Sequence, residues 1–197
     1  MPPPIPFFSL SDNTLVPPLI LIPAPPTKTI TQAAAFPISN YTFKEVQRAF
    51  RAVRTRWPSS NIRVAIYNAG SGIWKPFLQI TEAEVDNVTQ TNVNAAFAFS
   101  REAITAFQGQ AIDNSEGRGK RGTLLFTGAT ASSRGGSTNT AAFSGANFAV
   151  RSLSQSLNKE FGKENIHMCM PLLSGFSSTS PAHTHTHSLS LINNINR

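Results

Sequence analysis

The stretch from Phe126 to Arg151, FTGATASSRGGSTNTAAFSGANFAVR, constrains the fold more than any other part of this 197-residue chain. A short apolar strand ends in the hydroxyl residue Thr130, and a turn rich in glycine and serine follows. Thirteen positions after Thr130 comes Phe143, and four positions after that comes Asn147, both at the start of a long helical pattern. A strand that leads into a long helix in this way is part of an α/β unit.

The same alternation of strand and helix extends from about residue 30 to residue 175. Apolar runs of strand length occupy four ranges: Ala33–Ile38, Ile62–Tyr67, Thr123–Thr127 and Ile166–Leu173. Apolar residues at helical spacing predict helices at 42–57, 81–107 and 140–161. Thr42 and Thr81 each precede a Glu by three positions, which is the pattern of a capping box. The alternation predicts an α/β domain with a parallel sheet covered on both faces.

The first predicted helix is amphipathic. Its apolar residues fall on one face and predict its buried side: Phe43, Val46, Phe50, Val53 and Trp57. Its basic residues fall on the other face: Lys44, Arg48 and Arg51. Nucleic-acid binding is one interpretation of this basic stripe, but no aromatic residue is interleaved there, so we interpret it as a solvated outer face.

The two ends of the chain differ in composition from the middle. Residues 1–29 are rich in proline, which lacks the N–H that helices and inner strands need, so they predict a disordered leader. Residues 176–197 are a low-complexity tail of Ser, Thr, His and Asn whose composition cannot bury a core. His183, His185 and His187 alternate in that tail and could share one side of a strand, but no carboxylate or Cys lies nearby, so we predict no metal site.

The overall composition favours a protein of a reducing compartment, with neither nucleic acid nor a membrane as partner. The formal charge is +7, but the chain has no run of five or more basic residues. No apolar stretch approaches the length of a membrane span. Cys169 is the only cysteine, which excludes an intrachain disulfide and suits the cytoplasm, and we expect it to be a buried strand residue.

Four blocks, in order and at the right spacing, resemble the short-chain dehydrogenase/reductase family, which has a Rossmann-type fold. They are Tyr67–Gly70, residues 77–97 (FLQITEAEVDNVTQTNVNAAF), the segment at 126–151 and Asn165–Gly175. The resemblance covers roughly residues 31–175. It implies an oxidoreductase that uses NAD or NADP on a small carbonyl or alcohol, and a dimer formed through the helices at 81–107 and 140–161.

The resemblance also implies which residues stand at the family's catalytic site. Thr130 and Asn92 match the family's hydroxyl residue and its proton-relay Asn. Phe143 stands where the family has its general-acid Tyr, and Asn147 stands where it has the Lys that lowers the Tyr pKa and binds the nicotinamide ribose. Phe143 has no proton to give. Ser144 follows it directly, but we expect that side chain to point elsewhere on the helix.

The cofactor site implied by the resemblance is also altered. Asn68, Ala69 and Gly70 match the family's turn after its fourth strand, and Ser39 stands where the family has the acidic residue that holds the adenine. Gly70 is the first glycine in the chain, so no glycine-rich turn precedes it to approach a pyrophosphate. The glycines at 117–122 spell that fingerprint, but they follow a helix and precede a strand.

These departures predict a Rossmann-like α/β/α domain that is incomplete, because the family's first βαβ unit and last strand have no recognisable counterpart. We expect a truncated or mis-spliced version of a longer protein, with weak or absent cofactor binding and no ordinary turnover. The alternative is a non-catalytic partner that dimerises with itself or with a full-length relative. Nucleic-acid binding ranks last.

Overall fold

The computed structural model describes residues 34–114 and 119–173. The elements in chain order are α1 (Phe43–Arg56), β1 (Val64–Tyr67), α2 (Glu82–Thr89), α3 (Ala95–Gln108), β2 (Gly122–Phe126), β3 (Gly128–Ala129), α4 (Ala131–Arg134), α5 (Ala141–Phe161), β4 (Ile166–Cys169) and β5 (Leu172–Leu173). The predicted leader at 1–29, the histidine tail at 176–197 and residues 115–118 of the glycine-rich loop lie outside the described residues. Within those residues, no helix is both long and apolar enough to cross a membrane.

The sheet is parallel, as predicted. β2 lies between β1 and β4, with Tyr67 opposite Phe126 and Gly122 opposite Ile166. The short strands β3 and β5 form a second parallel pair. Because successive strands are neighbours and parallel, each needs a helical crossover, and α3 and α5 supply them.

One face of this sheet packs against the helices and forms the core. Side chains of a strand alternate between faces, and the buried set on the three strands is Ala65, Tyr67, Leu124, Phe126 and Ile166. These residues form a single cluster with apolar residues of the three long helices: Val46, Phe50, Phe99, Phe107, Val150 and Leu153. The opposite face carries Ile66 and Leu125, which are only half-buried. Within 34–114 and 119–173, the helices therefore cover one face of the sheet, where the sequence predicted both.

Helix α1 has the predicted bounds but a different N-terminus. Thr42 is the N-cap, yet its hydroxyl donates to Asn40 Oδ1 at 2.6 Å rather than accepting from the helix. Glu45 accepts from Ser39 N at 3.0 Å and pairs with Arg48 at 2.8 Å. The predicted capping box at Thr42 is therefore wrong, because Asn40 Oδ1 takes both the N–H and the hydroxyl of Thr42.

The inner face of α1 is predicted correctly except at its first residue. Val46, Phe50 and Val53 are buried, and Trp57 packs partly buried against the core. Phe43 was predicted to be buried, but it is 48 % exposed. Phe43 is the first residue of α1, and the buried face of the helix begins only at Val46. The helix ends at Trp57, next to Pro58, as the sequence indicated.

The predicted helix at 81–107 begins with a true capping box. The Thr81 hydroxyl accepts from Glu84 N, and the Glu84 carboxylate accepts from Thr81 N at 2.9 Å. The helix is not uniform, because a π-helical segment at Gln90–Asn94 separates α2 from α3. A π segment adds one residue to a turn and changes the direction of the side chains in it, and such segments are frequent at functional sites.

Three strand predictions need correction. Residues 34–38 form only an isolated bridge residue at Phe36, not a strand. The predicted last strand at Ile166–Leu173 is broken into β4 and β5, because Pro171 has no N–H for a ladder. Cys169 was expected to be buried but is exposed, because it lies at the end of β4 on the face opposite the helices.

Candidate functional site

The residues of the predicted site gather at the carboxyl ends of the strands. β1 and β2 are parallel neighbours, so the turn that follows Tyr67 and the turn that follows Phe126 leave the sheet at the same edge. Asn68, Ala69 and Gly70 follow β1, and Thr130 follows the β3 extension of β2. In open α/β sheets this edge is where ligands bind.

Asn92 holds the turn after β1 in place. It lies buried in the π segment, where its Oδ1 accepts from Ser71 N and its Nδ2 donates to Ser71 O, both at 2.7 Å. A side-chain amide that makes both bonds to one residue imitates a strand neighbour. Asn92, which was predicted to be the proton-relay residue, therefore fixes the turn that contains Gly70.

The π segment is also bonded to the sheet. The buried hydroxyl of Tyr67, at the end of β1, donates to the Thr91 carbonyl of that segment. Burial raises the pKa of Tyr67, so this phenol stays protonated and keeps its donor on Thr91. Gln90 Nε2 also donates to Tyr41 O at 2.8 Å, which joins the segment before α1 to the same turn.

Phe143, the residue predicted to stand at the position of the family's general acid, packs against an aromatic partner. Its ring centroid lies 5.6 Å from that of Trp74, with the planes tilted by 32°. The indole folds back over Gly72, where an added Cβ would come within 2.3 Å of the ring. A side chain at position 72 would therefore displace Trp74 from this place.

Asn147, the residue predicted to stand at the position of the family's Lys, bonds to its own helix. Its Nδ2 donates to the Phe143 carbonyl at 2.9 Å, one turn back on α5. The side chain is buried. Asn147 thus brings no charge to the site, and its side-chain amide donates to a backbone carbonyl of its own helix.

Ser144 does not replace the missing acid. Thr140 Oγ1 donates to Ser137 O at 2.6 Å, which uses the only proton of that hydroxyl. The contact of 3.3 Å between Thr140 Oγ1 and Ser144 Oγ must then have Ser144 as donor. Both residues are buried. The prediction that Ser144 points elsewhere on the helix agrees with this geometry.

Thr130 is half-exposed at the start of α4, within the same edge. Its carbonyl accepts from Ser133 N at 3.0 Å and from Ser133 Oγ at 2.8 Å, which fixes the turn. The short helix α4 packs against α5, and Arg151 NH1 reaches from α5 to Ser132 O at 3.2 Å. Thr130 and Phe143 are therefore carried by two elements in direct contact.

Ser39 makes a local contact with α1. Its N–H and hydroxyl both donate to Glu45 Oε2, at 3.0 and 2.9 Å. The hydrogen bond from Arg48, followed by those from Ser39, lowers the pKa of Glu45 to about 2. In this structure Ser39 serves the N-terminus of α1, and its predicted role at the adenine stays a prediction.

Sequence reasoning missed the loop at 71–76, which covers the site. Lys75 N donates to Asn139 O at 3.1 Å, and Lys75 Nζ pairs with Glu84 Oε1 at 2.5 Å. Asn139 has a φ of 65°, a left-handed conformation that Asn tolerates better than most residues. These contacts tie the loop to α2 and to the turn before α5. One signal in the sequence was Trp74, a large apolar residue in a turn bounded by Gly72 and Pro76.

A metal site is not formed in the part of the chain that the structure covers. No group of three or more His, Cys, Asp or Glu side chains there lies close enough to hold an ion.

Comparisons with known proteins point to one family. The family model described as short chain dehydrogenase matches residues 26–187, which is most of the chain. The structure is similar to that of an NADH-dependent reductase responsible for alginate metabolism, with 22% identity, a TM-score of 0.62, and coverage of 72% of this chain and 56% of that one. A comparison with curated proteins gave no significant match.

Two further similar structures were solved with cofactors. One is the 3-ketoacyl-(acyl-carrier-protein) reductase of Brucella melitensis with NADH, at 19% identity and a TM-score of 0.60, with coverage of 69% of this chain and 53% of that one. The other is a metagenomic short-chain oxidoreductase with NADP, at 17% identity and a TM-score of 0.56, with coverage of 66% and 54%.

The chain spans about half the length of these structures. At such identities the likeness shows the fold. The match of the family model over more than half of the chain establishes that the chain belongs to the short-chain dehydrogenase family.

Proposed function

We propose that this chain is a short-chain dehydrogenase homologue that does not carry out the family's hydride transfer between a nicotinamide cofactor and a small carbonyl or alcohol. One observation carries the proposal. The side chain at the general-acid position is Phe143, and its ring packs on Trp74. Loss of a general acid costs about 10²–10⁴ in rate.

Neither tyrosine of the chain supports a rescue of the missing acid. Burial raises the pKa of Tyr41 to about 12 and raises the pKa of Tyr67 as well. The Tyr67 hydroxyl already donates to Thr91 O. The half-exposed hydroxyl of Thr130 can donate a hydrogen bond to a carbonyl oxygen, but an alcohol without a base nearby does not transfer its proton.

The residues present do not fit a nicotinamide cofactor well, and we propose that its binding is weak or absent. Asn147 gives no ammonium group for the ribose, and its amide is engaged with Phe143 O. Gly70 is the first glycine in the chain, so the residues before β1 offer no glycine-rich turn for a pyrophosphate. Asn68, Ala69 and Gly70 remain at the edge of the sheet as the part of the cofactor site that matches the family.

The proposal is tested on the full chain with NADH and NADPH. We expect no oxidation of either nucleotide above the buffer rate with small ketones and aldehydes, and a melting temperature that neither nucleotide raises. A ligand that binds only the folded state must raise that temperature. Turnover that is lost in Thr130→Ala would overturn the proposal.

A double variant separates the two parts of the proposal. Phe143→Tyr with Asn147→Lys restores the acid and the cation but not a phosphate-binding turn. We expect its melting temperature to stay unmoved by nucleotide. If NADH or NADPH raises it in the double variant alone, the loss of binding in the natural chain traces to Asn147 and not to the missing turn.

The second candidate function is a non-catalytic dimer partner. On α3 and α5, the two helices through which the family resemblance implies a dimer, one large apolar side chain each is exposed: Phe97 at 49 % and Phe148 at 43 %. Exposed apolar surface of this kind is what a protein–protein contact covers. We propose that these helices pair with a second copy or with a longer relative. Phe97→Glu with Phe148→Glu should then shift the chain to the monomer in sedimentation, and an unchanged mass would count against this candidate.

A further inference from the structure

A groove on the outer surface of the helical layer gathers basic residues from two distant parts of the sequence. It lies between α1 and α3, has a volume of about 640 Å³, and its charged and amide lining is Gln47, Arg51, Arg54, Arg101 and Glu102. Arg51 and Arg101 are exposed, and Glu102 is buried at the base. The sequence placed Arg51 on a solvated face and gave no sign that Arg101 would join it.

Polar contacts order the floor of the groove. Arg54 NH2 pairs with Glu102 Oε2 at 3.3 Å, and Gln47 Nε2 donates to Glu102 Oε1 at 3.4 Å. Arg51 NH2 donates to Gln47 Oε1 at 3.0 Å. The single carboxylate is thus shared between Arg54 and Gln47, and the guanidinium group of Arg51 is positioned by an amide rather than by a charge.

The groove therefore keeps an excess of positive charge. It holds three guanidinium groups and one carboxylate, which leaves a net charge of +2. Within residues 34–114 and 119–173, neither Arg51 nor Arg101 makes an ion pair. Guanidinium groups present a planar set of donors that matches carboxylates and phosphates in a bidentate way. An anionic ligand would satisfy donors that the protein itself leaves to water.

The shape and lining favour an extended polypeptide. From Gln47 to Thr55 the α1 side of the groove runs about 12 Å, which is the length of three to four residues of an extended chain. Thr55 and Thr105 add hydroxyl groups that can bond to a peptide backbone. The lining has no aromatic side chain, so it offers no platform on which a nucleic-acid base could stack.

We propose that the α1–α3 groove is a docking site for an acidic segment of a partner protein, one rich in Asp and Glu. Arg51 and Arg101 bind its carboxylates, and the pair of Arg54 with Glu102 keeps the floor in place. The groove lies on the outer surface of α1 and α3, and Phe143 is not part of its lining. The proposal therefore does not depend on whether the chain is catalytic.

The test measures binding of a fluorescently labelled octaglutamate peptide to the full chain, with octaglutamine as the neutral peptide. The groove variant is Arg51→Ala with Arg101→Ala. The matched control is Arg134→Ala with Lys159→Ala, which removes the same charge from α4 and α5. We expect the peptide to bind the natural chain and the control alike, and the groove variant more weakly by about tenfold, the change for losing two exposed ion pairs. Added salt should weaken the binding, since exposed charges are screened.

Three results would overturn the proposal. They are no binding of octaglutamate at low salt, equal loss of affinity in the groove variant and the control, or tighter binding of single-stranded DNA of equal charge that the groove variant alone abolishes. The last would make the groove a nucleic-acid site. Thermal melts of all variants ensure that the affinities refer to folded protein.

Discussion

The indole of Trp74 lies against the ring of Phe143, with the centroids 5.6 Å apart, and this contact joins the loop after β1 to the first turn of α5. Because Asn92 clamps Ser71 and Lys75 pairs with Glu84, the loop is held on both sides of the indole. Phe143 is thus part of an aromatic pair at the edge of the sheet.

This aromatic contact should contribute measurably to stability. Trp74→Ala removes a pair worth about 0.5–1.5 kcal/mol beyond the area it buries, so we expect a loss of about 1 kcal/mol in the free energy of unfolding. Trp74 is 51 % exposed, which limits the further loss from burial. Urea unfolding followed by circular dichroism measures the change. Leu78→Ala, at a side chain that is 94 % exposed nearby, is the control and should change stability by less than about 0.5 kcal/mol.

Asn92 should be more costly to replace than its neighbour on the same π segment. Asn92→Ala removes two hydrogen bonds to the partly buried Ser71, and at about 0.5–1.5 kcal/mol for each bond their loss costs about 1–3 kcal/mol. We expect a loss in that range in urea unfolding, with faster amide exchange at Ser71. Asn94→Ala removes only an exposed bond to Gln90. Equal losses in the two variants would show that Asn92 is not the clamp.

The ion pair of Lys75 with Glu84 predicts a particular acid dependence. The hydrogen bond from Lys75, followed by that from the Thr81 backbone, lowers the pKa of Glu84 to about 2. A carboxylate whose folded pKa lies below its unfolded value stabilises the protein above the unfolded pKa, and this stability is lost as the pH falls toward the folded pKa. We expect the stability difference between the natural chain and Glu84→Gln to shrink between about pH 4.5 and pH 2. A difference that stays constant over that range would contradict the prediction.

Two glycines should respond to alanine in opposite directions. An added Cβ at Gly122, the first residue of β2, would come within 2.2 Å of the Phe107 ring, so Gly122→Ala should destabilise the fold by about 1–3 kcal/mol. Gly145 lies inside α5 with nothing within 4 Å of an added Cβ, so Gly145→Ala should stabilise the helix by up to about 1 kcal/mol. Thermal unfolding of the two variants checks both signs. A destabilised Gly145→Ala variant would mean that the exposed side of α5 is packed against something.

Local patterns predicted the elements well where one interaction dominates. The capping box at Thr81 formed because Glu84 has the N-cap within reach, although Lys75 also bonds to it. The equivalent pattern at Thr42 failed, because Glu45 bonds to Ser39 and Arg48 instead. Both boxes look the same in sequence. The difference lies in whether the preceding chain lets the carboxylate reach back, which local spacing does not express.

The sequence by itself determined the family and the parallel α/β architecture, because periodicity and spacing along the chain set which elements form and in what order. Only the tertiary structure decided which contacts the residues of the predicted site make. It placed Trp74 on Phe143, bonded Asn147 to its own helix, exposed Cys169 and brought Arg101 beside Arg51. Such contacts join residues that are far apart in the chain, and their geometry depends on how helices pack on the sheet.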